Sequence, residues 1–326
     1  MTDAPEEYEV EHPAPLREAL EALNFWCQER LADGEAKDRV EAPLYHYTNA
    51  TGLKGIFESG EMWFTDYRHL NDPSELRYGV ERAHKALRGA KSGDEGLVDW
   101  FLEGTADLFS LENLDTLGFF VSSFSRARND LGQWRAYADN GRGFAIGYAP
   151  SMFKIRPDLS PSPEENAFRG TVVYDADEGL SRQREVADHA AQNFGEVLAA
   201  NVELMKDKAV GIPFMRDYGR RLISSSLIWN ALTTKHPAYE REQEVRLIIM
   251  GTVEKLLPVT KTRARASEIV PYIAHPWNIR GREDVAEIVI GPGAHPDSER
   301  TVETLLATRG LTGVKITRSD IPYRAI

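Results

Sequence analysis

The 326-residue chain contains a single cysteine, Cys27, which excludes an intrachain disulfide and a thiolate metal cluster. Its eight histidines, His12, His46, His69, His84, His189, His236, His275 and His295, lack the short spacings of a metal motif, so no metal site is expected. No apolar run reaches the roughly 18 to 20 residues of a membrane span. There is no Walker phosphate loop and no GxSxG nucleophile elbow, and the GPG of IVIGPGAH is too short for a dinucleotide fingerprint. Positive charge is also scarce: 39 Lys and Arg face 51 Asp and Glu, a net charge of −12. That sign opposes nonspecific wrapping of nucleic acid. The first residues, MTDAPEEYEVEHPAP, carry five acids and no Lys or Arg, the reverse of a signal peptide. A cytoplasmic protein without a membrane partner is the expectation.

What is present suffices for a globular core, with 42% hydrophobic and 28% charged residues. Residues 1–14 read as a flexible acidic tail and 15–42 as a helix and linker, with Leu16, Leu20, Leu23 and Cys27 on one helical stripe. Residues 43–326 read as a single α+β domain with a mixed sheet and a helical insertion over about 180–233, broken near Gly211, Ile212 and Pro213. LYHYT and MWFTD read as strands around a short helix that Gly60 ends. LNDPSELRYGVERAHKAL reads as a helix capped by Asp72 and Glu75 with Pro73 in its first turn, followed by Leu76, Val80, Ala83 and Leu87 at helical spacing. GFFVSSFS, GFAIGY, TVVYD, EIVIG and VKITR complete the strands.

Four groups of residues carry chemistry. His46 sits in an aromatic strand, where an imidazole is either a satisfied core residue or a ligand-binding one. Read as extended, EREQEVRLII puts Glu242, Glu244 and Arg246 on one face, so that Arg246 holds one carboxylate ionised; a solvated edge strand accounts for the same pattern. Ser123 and Ser125 share one side of FVSSFSR and offer hydroxyls to a ribose or a carboxylate. Gln133, Trp134, Arg135, Tyr137 and Arg142 gather in one polar turn, where the aromatic rings stack on a heterocycle or anchor the core and the arginines meet a phosphate.

In that order LYHYT, LNDPSELRYG, FSR with LGQWRAYADNGRGFAIGY, EREQEVRLII and EIVIGPGA, over residues 43–295, resemble the bacterial domain of unknown function 2971 family, which implies one domain and supplies no activity of its own. The chain also distantly resembles the ADP-ribosyltransferase fold, in His46 with Thr48 on a first strand, Ser123 to Ser125 on a middle strand, and Glu242 and Glu244 in an ExE arrangement on a later one. That resemblance implies a mixed sheet that binds NAD as substrate and transfers ADP-ribose to an acceptor that is a protein, nucleic acid or small molecule, in a toxin-like or antiphage role. It implies that His46 and Thr48 bind the adenosine ribose, that Tyr47 or Tyr78 stacks on nicotinamide, and that Ser123 or Ser125 orients the glutamate. Glu244 then stabilises an oxocarbenium-like state while Glu242 serves the acceptor. A noncatalytic nucleotide- or partner-binding module on the same fold is one alternative, and a metal-independent nuclease using His46 and Glu244 is another.

Overall fold

The computed structural model describes residues 11–71, 75–93, 96–154, 160–265 and 267–323. In chain order, α1 (Ala14–Lys37) precedes β1 (Leu44–Thr48), α2 (Ala50–Ser59), β2 (Glu61–Asp66), α3 (Glu75–Gly89), α4 (Leu97–Leu108), β3 (Leu117–Ser125), α5 (Leu131–Tyr137), β4 (Phe144–Tyr148) and β5 (Ala167–Thr171). Then follow α6 (Ala176–Ala200), α7 (Val202–Lys206), α8 (Lys208–Leu222), α9 (Ile228–Leu232), β6 (Glu244–Thr252), α10 (Val253–Leu256), β7 (Lys261–Arg265), β8 (Glu268–Pro276), β9 (Val285–Ile290), α11 (Ser298–Ala307) and β10 (Lys315–Arg318). The α+β class and the mixed sheet therefore hold. The acidic tail falls mostly outside the described residues, as do the expected cap Asp72 and Pro73.

The chain forms two compact units. The helical one takes the residues up to Asp33 with Glu75–Leu114 and Asp175–Thr234, and the other takes the remaining residues. Within the helical unit the apolar stripes read from sequence are buried: Leu16, Leu20, Leu23 and Cys27 on α1, and Leu76, Val80, Ala83 and Leu87 on α3. Each of the leucines and the valine contributes about 1.5–3 kcal/mol when fully buried. Gly79 lets α3 approach α9 so closely that a Cβ there would collide with the backbone of Ala231. The break expected near Gly211 lies elsewhere. Pro213 is inside α8, and the interruptions fall at Asn201 and Asp207, where Asp207 accepts from the Ala209 N–H and starts a new helix. A side-chain cap competes well for a helix start and contributes about 1 kcal/mol.

The second unit is built on a sheet whose ten strands, among the described residues, run in the order β10-β9-β4-β1-β3-β2-β8-β7, with β6 pairing both β3 and β5. Among the described residues only β9 and β10 pair in parallel. TVVYD was expected as a strand, but β5 lies earlier, at Ala167–Thr171, pairing Ala167 with Ile249 and Thr171 with Val245. One face of the sheet packs the larger core, including Leu44, Phe64, Phe120, Phe124, Ile146, Val245, Ile249 and Ile288, under Leu53, Ile56 and Phe57 of α2. On the other face Tyr45, Tyr47, Trp134, Ala145 and Val289 form a smaller cluster.

Candidate functional site: a cavity at a fork in the sheet

β3 spans nine residues, as long as β6 on one edge and longer than β1 or β2 on the other. Along one edge it pairs with β6 throughout, from Leu117 opposite Thr252 to Ser125 opposite Glu244. Along the other edge Thr65 of β2 faces Val121, while Tyr45 of β1 faces Ser125. Ser123 lies between these two pairings, where β1 and β2 part. A cavity of about 800 Å³ opens at this fork, within the sheet unit.

His46 answers the backbone problem that the fork creates. Its Nδ1 lies 3.0 Å from the Ser123 carbonyl oxygen. A carbonyl only accepts, so Nδ1 carries the proton and Nε2 keeps the lone pair of the neutral ring. Burial pushes the imidazole pKa below its ordinary value, against the raising effect of that carbonyl, and the positive charge of Arg263 adds to the lowering. The histidine is thus both a satisfied structural residue and a lining residue of the cavity.

Strand alternation puts Leu44 and His46 on the larger-core face, and Tyr45 and Tyr47 on the other. Ser125, Glu244 and Tyr45 stand opposite one another, so the serines and Glu244 share the tyrosine face. His46 and Glu244 therefore belong to opposite faces of the sheet, and the fork is what allows both to line one cavity.

Glu242 does not continue the strand of Glu244. It ends a 3₁₀ turn, Pro237–Glu242, and Gln243 takes a left-handed conformation with φ 45° before β6 begins. The two carboxylates nevertheless converge on a buried amine. Lys235 Nζ donates to Glu242 Oε2 at 2.7 Å and lies 3.4 Å from Glu244 Oε2. Arg246 grips Glu244 with two N–H groups, Nε to Oε1 at 2.8 Å and Nη2 to Oε2 at 2.9 Å. Burial raises the Glu244 carboxyl, but Arg246 and Lys235, with hydrogen bonds from Arg246 and Ser123, bring it down to about 2. It is an anion at any physiological pH. Tyr137 donates to Glu242 Oε1 at 2.8 Å, and Ser125 Oγ donates to the Glu242 carbonyl at 2.6 Å.

Of the other residues singled out from sequence, Tyr47, Thr48, Ser123, Ser125 and Gln133 line the cavity. The Tyr47 hydroxyl is already engaged, donating to the Ala127 carbonyl at 2.8 Å and accepting from the Asp130 N–H at 3.2 Å. A Cβ at Gly52 would sit well inside contact distance of Thr48 Oγ1, so any larger residue there would displace the threonine hydroxyl. Trp134 is a core anchor, fully buried edge-on to Tyr47 with its indole N–H on Asn129 Oδ1 at 2.7 Å. Arg135 is exposed, and neither it nor Arg142 is among the lining residues. Tyr78 belongs to the helical unit, where its ring lies beneath the Arg82 guanidinium.

Sequence reasoning missed Lys235, Trp63 and Arg263. Lys235 stands seven residues before Glu242, but the chain between them is a 3₁₀ turn rather than an α-helix, so the helical period does not apply and the fold alone joins them. No group of His, Cys, Asp and Glu among the described residues could hold a metal ion, and no described helix is long and apolar enough to cross a membrane.

Residues 133–247 match the model of a protein family described as a protein of unknown function, DUF2971. The family resemblance read from the motifs therefore holds across α5, β4 and the first part of β6. No curated protein and no solved structure matches the chain.

Proposed function

We propose that the cavity at the fork binds NAD and that the chain transfers ADP-ribose from it to an acceptor. The observation that carries this reading is the meeting, in one cavity, of an imidazole with its Nε2 lone pair unspent and a carboxylate held ionised by its neighbours. In this reading His46 Nε2 accepts from a ribose hydroxyl. As the bond between ribose C1′ and nicotinamide nitrogen breaks, its electron pair leaves with nicotinamide, and the Glu244 anion offsets the positive charge on the sugar. The acceptor then bonds to C1′, and its proton passes to Glu242, which Tyr137 and Lys235 hold in place.

One observation favours a second reading, a module that binds a nucleotide without turning it over. Both oxygens of Glu244 are already taken by the Arg246 fork, which opposes their reaching for a substrate hydroxyl. Incubation of purified protein with labelled NAD and a lysate, following label transfer and free nicotinamide, separates the two. The transferase reading expects Glu244→Gln to lower nicotinamide release by about a hundredfold or more and Glu242→Gln to lower label transfer to the acceptor, with melting temperatures measured alongside as a folding control. NAD binding with no nicotinamide released by the wild type would leave the binding module standing.

A further inference from the structure

The edge strand β7 carries three cations on one side, and they are not equivalent. Lys261 lies 3.7 Å from Glu61, and Arg265 is paired with Glu268 at 3.1 Å. Arg263, between them, has no carboxylate within ion-pair distance among the described residues. Its Nη2 donates to Thr65 Oγ1 at 2.9 Å, while its Nε is buried without a partner. The guanidinium carbon sits 5.2 Å from the Trp63 ring centroid and 5.8 Å from that of Tyr272, and these two rings are 4.5 Å apart.

Register explains the gathering. Thr65 faces Tyr272 across β2 and β8, and Arg263 faces Val270 across β8 and β7, so Trp63, Thr65, Tyr272 and Arg263 share a face. It is the face of Ser123 and Glu244, since Thr65 also stands opposite Val121. Trp63, Thr65 and Arg263 all line the cavity. Glu61, the acid beside them, is spent on Lys261 and on the Trp63 indole N–H at 3.4 Å. Two aromatic rings strip water from a guanidinium that the protein leaves without an anion, which is costly unless something else supplies one.

The geometry points to an anion subsite at Arg263 that takes a nucleotide phosphate, with the Trp63 ring beside it as a stacking surface for the base. A guanidinium fork matches the spacing of phosphate oxygens, and its weak hydration suits a partly desolvated wall. The indole, 36% exposed, keeps area free for a flat ring. This subsite rests on the reading that the cavity takes a nucleotide, and it does not require transfer chemistry.

The test is calorimetric titration of the full chain with ADP, pyrophosphate and adenosine. Wild-type protein is expected to bind ADP about tenfold or more tightly than adenosine, because a charged hydrogen-bonded contact is worth at least that factor. Pyrophosphate is expected to compete with ADP. Arg263→Met is expected to bring ADP down to the adenosine level without changing adenosine itself, Arg263→Lys to retain part of the preference, and Trp63→Leu to weaken both ligands by the same factor. No preference for ADP in the wild type, or a preference that survives in Arg263→Met, overturns the subsite. Failure of transfer is read separately: phosphate-dependent binding with no nicotinamide release refutes the transferase and leaves the subsite. Transfer with an unchanged KM for NAD in Arg263→Met does the reverse.

Discussion

The two polar walls of the cavity balance their charge in opposite ways. At the β6 wall, Glu242 and Glu244 are met by Lys235 and Arg246 with hydrogen bonds between 2.7 and 3.4 Å. At the β2 and β7 wall, Arg263 has two aromatic rings and one hydroxyl, and burial together with the charge of Arg265 pushes its guanidinium pKa down. The first wall is complete without a ligand and the second is not. A wall that is already compensated holds its geometry, and a wall short of an anion has affinity to offer.

The sharpest way to break this contrast is Arg246→Met. It leaves the Glu244 carboxylate buried with the longer Lys235 contact and the Ser123 hydrogen bond, and removal of one partner of a buried pair costs about 3–5 kcal/mol. The expected outcome is a large fall in the chemical-denaturation midpoint, and an unchanged midpoint would mean that the pair is not buried as described. Acid should act on the same wall. The folded Glu244 pKa, about 2, lies below its ordinary value of 4.5, so the stabilisation is fully present above pH 4.5 and is lost as pH falls toward 2. Denaturation midpoints across that window should slope downward in the wild type, and the slope should flatten in Glu244→Gln.

A smaller pH effect belongs to His46, at the fork itself. Its folded pKa lies below the ordinary 6.5, so below that pH the unfolded ring binds a proton that the folded one resists. Stability is therefore expected to fall modestly as pH drops beneath 6.5. Nitrogen chemical shifts of the ring should show the neutral tautomer protonated at Nδ1. A ring protonated at Nε2 at neutral pH would contradict the hydrogen bond to Ser123.

Much of this architecture is legible in local sequence because local physics makes it. Gly60 ends α2 at φ 66° as the pattern implied, and Asn49 caps its start by accepting from the Gly52 N–H. The apolar runs GFFVSSFS and GFAIGY likewise became β3 and β4. The ExE motif was half legible. Arg246 does hold Glu244, but a left-handed Gln243 turns the chain, so the period-two reading fails one residue before Glu244. Trp134 followed propensity into the core, while the cavity's own tryptophan, Trp63, stood in an ordinary strand. Lys235 and Arg263 were invisible for a different reason. One owes its place to the arrival of β6 beside β3, the other to a strand order in which β8 separates β2 from β7. Nonlocal pairing of that kind leaves no period in the sequence.

The smallest expected stability effect is the most informative about the comparison. Arg263→Met removes a guanidinium whose single described hydrogen bond goes to Thr65 and whose Nε is buried unsatisfied. Loss of a hydrogen bond to a charged group costs about 1.5–3 kcal/mol, while relief of a desolvated, unpaired cation returns a comparable amount. Methionine keeps contact with the faces of Trp63 and Tyr272. The unfolding free energy should therefore change by less than about 0.5 kcal/mol, against the several expected for Arg246→Met. A loss as large as that of Arg246→Met would make Arg263 a structural residue like its counterpart and erase the difference between the walls. A near-neutral result would mean that this charge is retained in the fold for something other than stability.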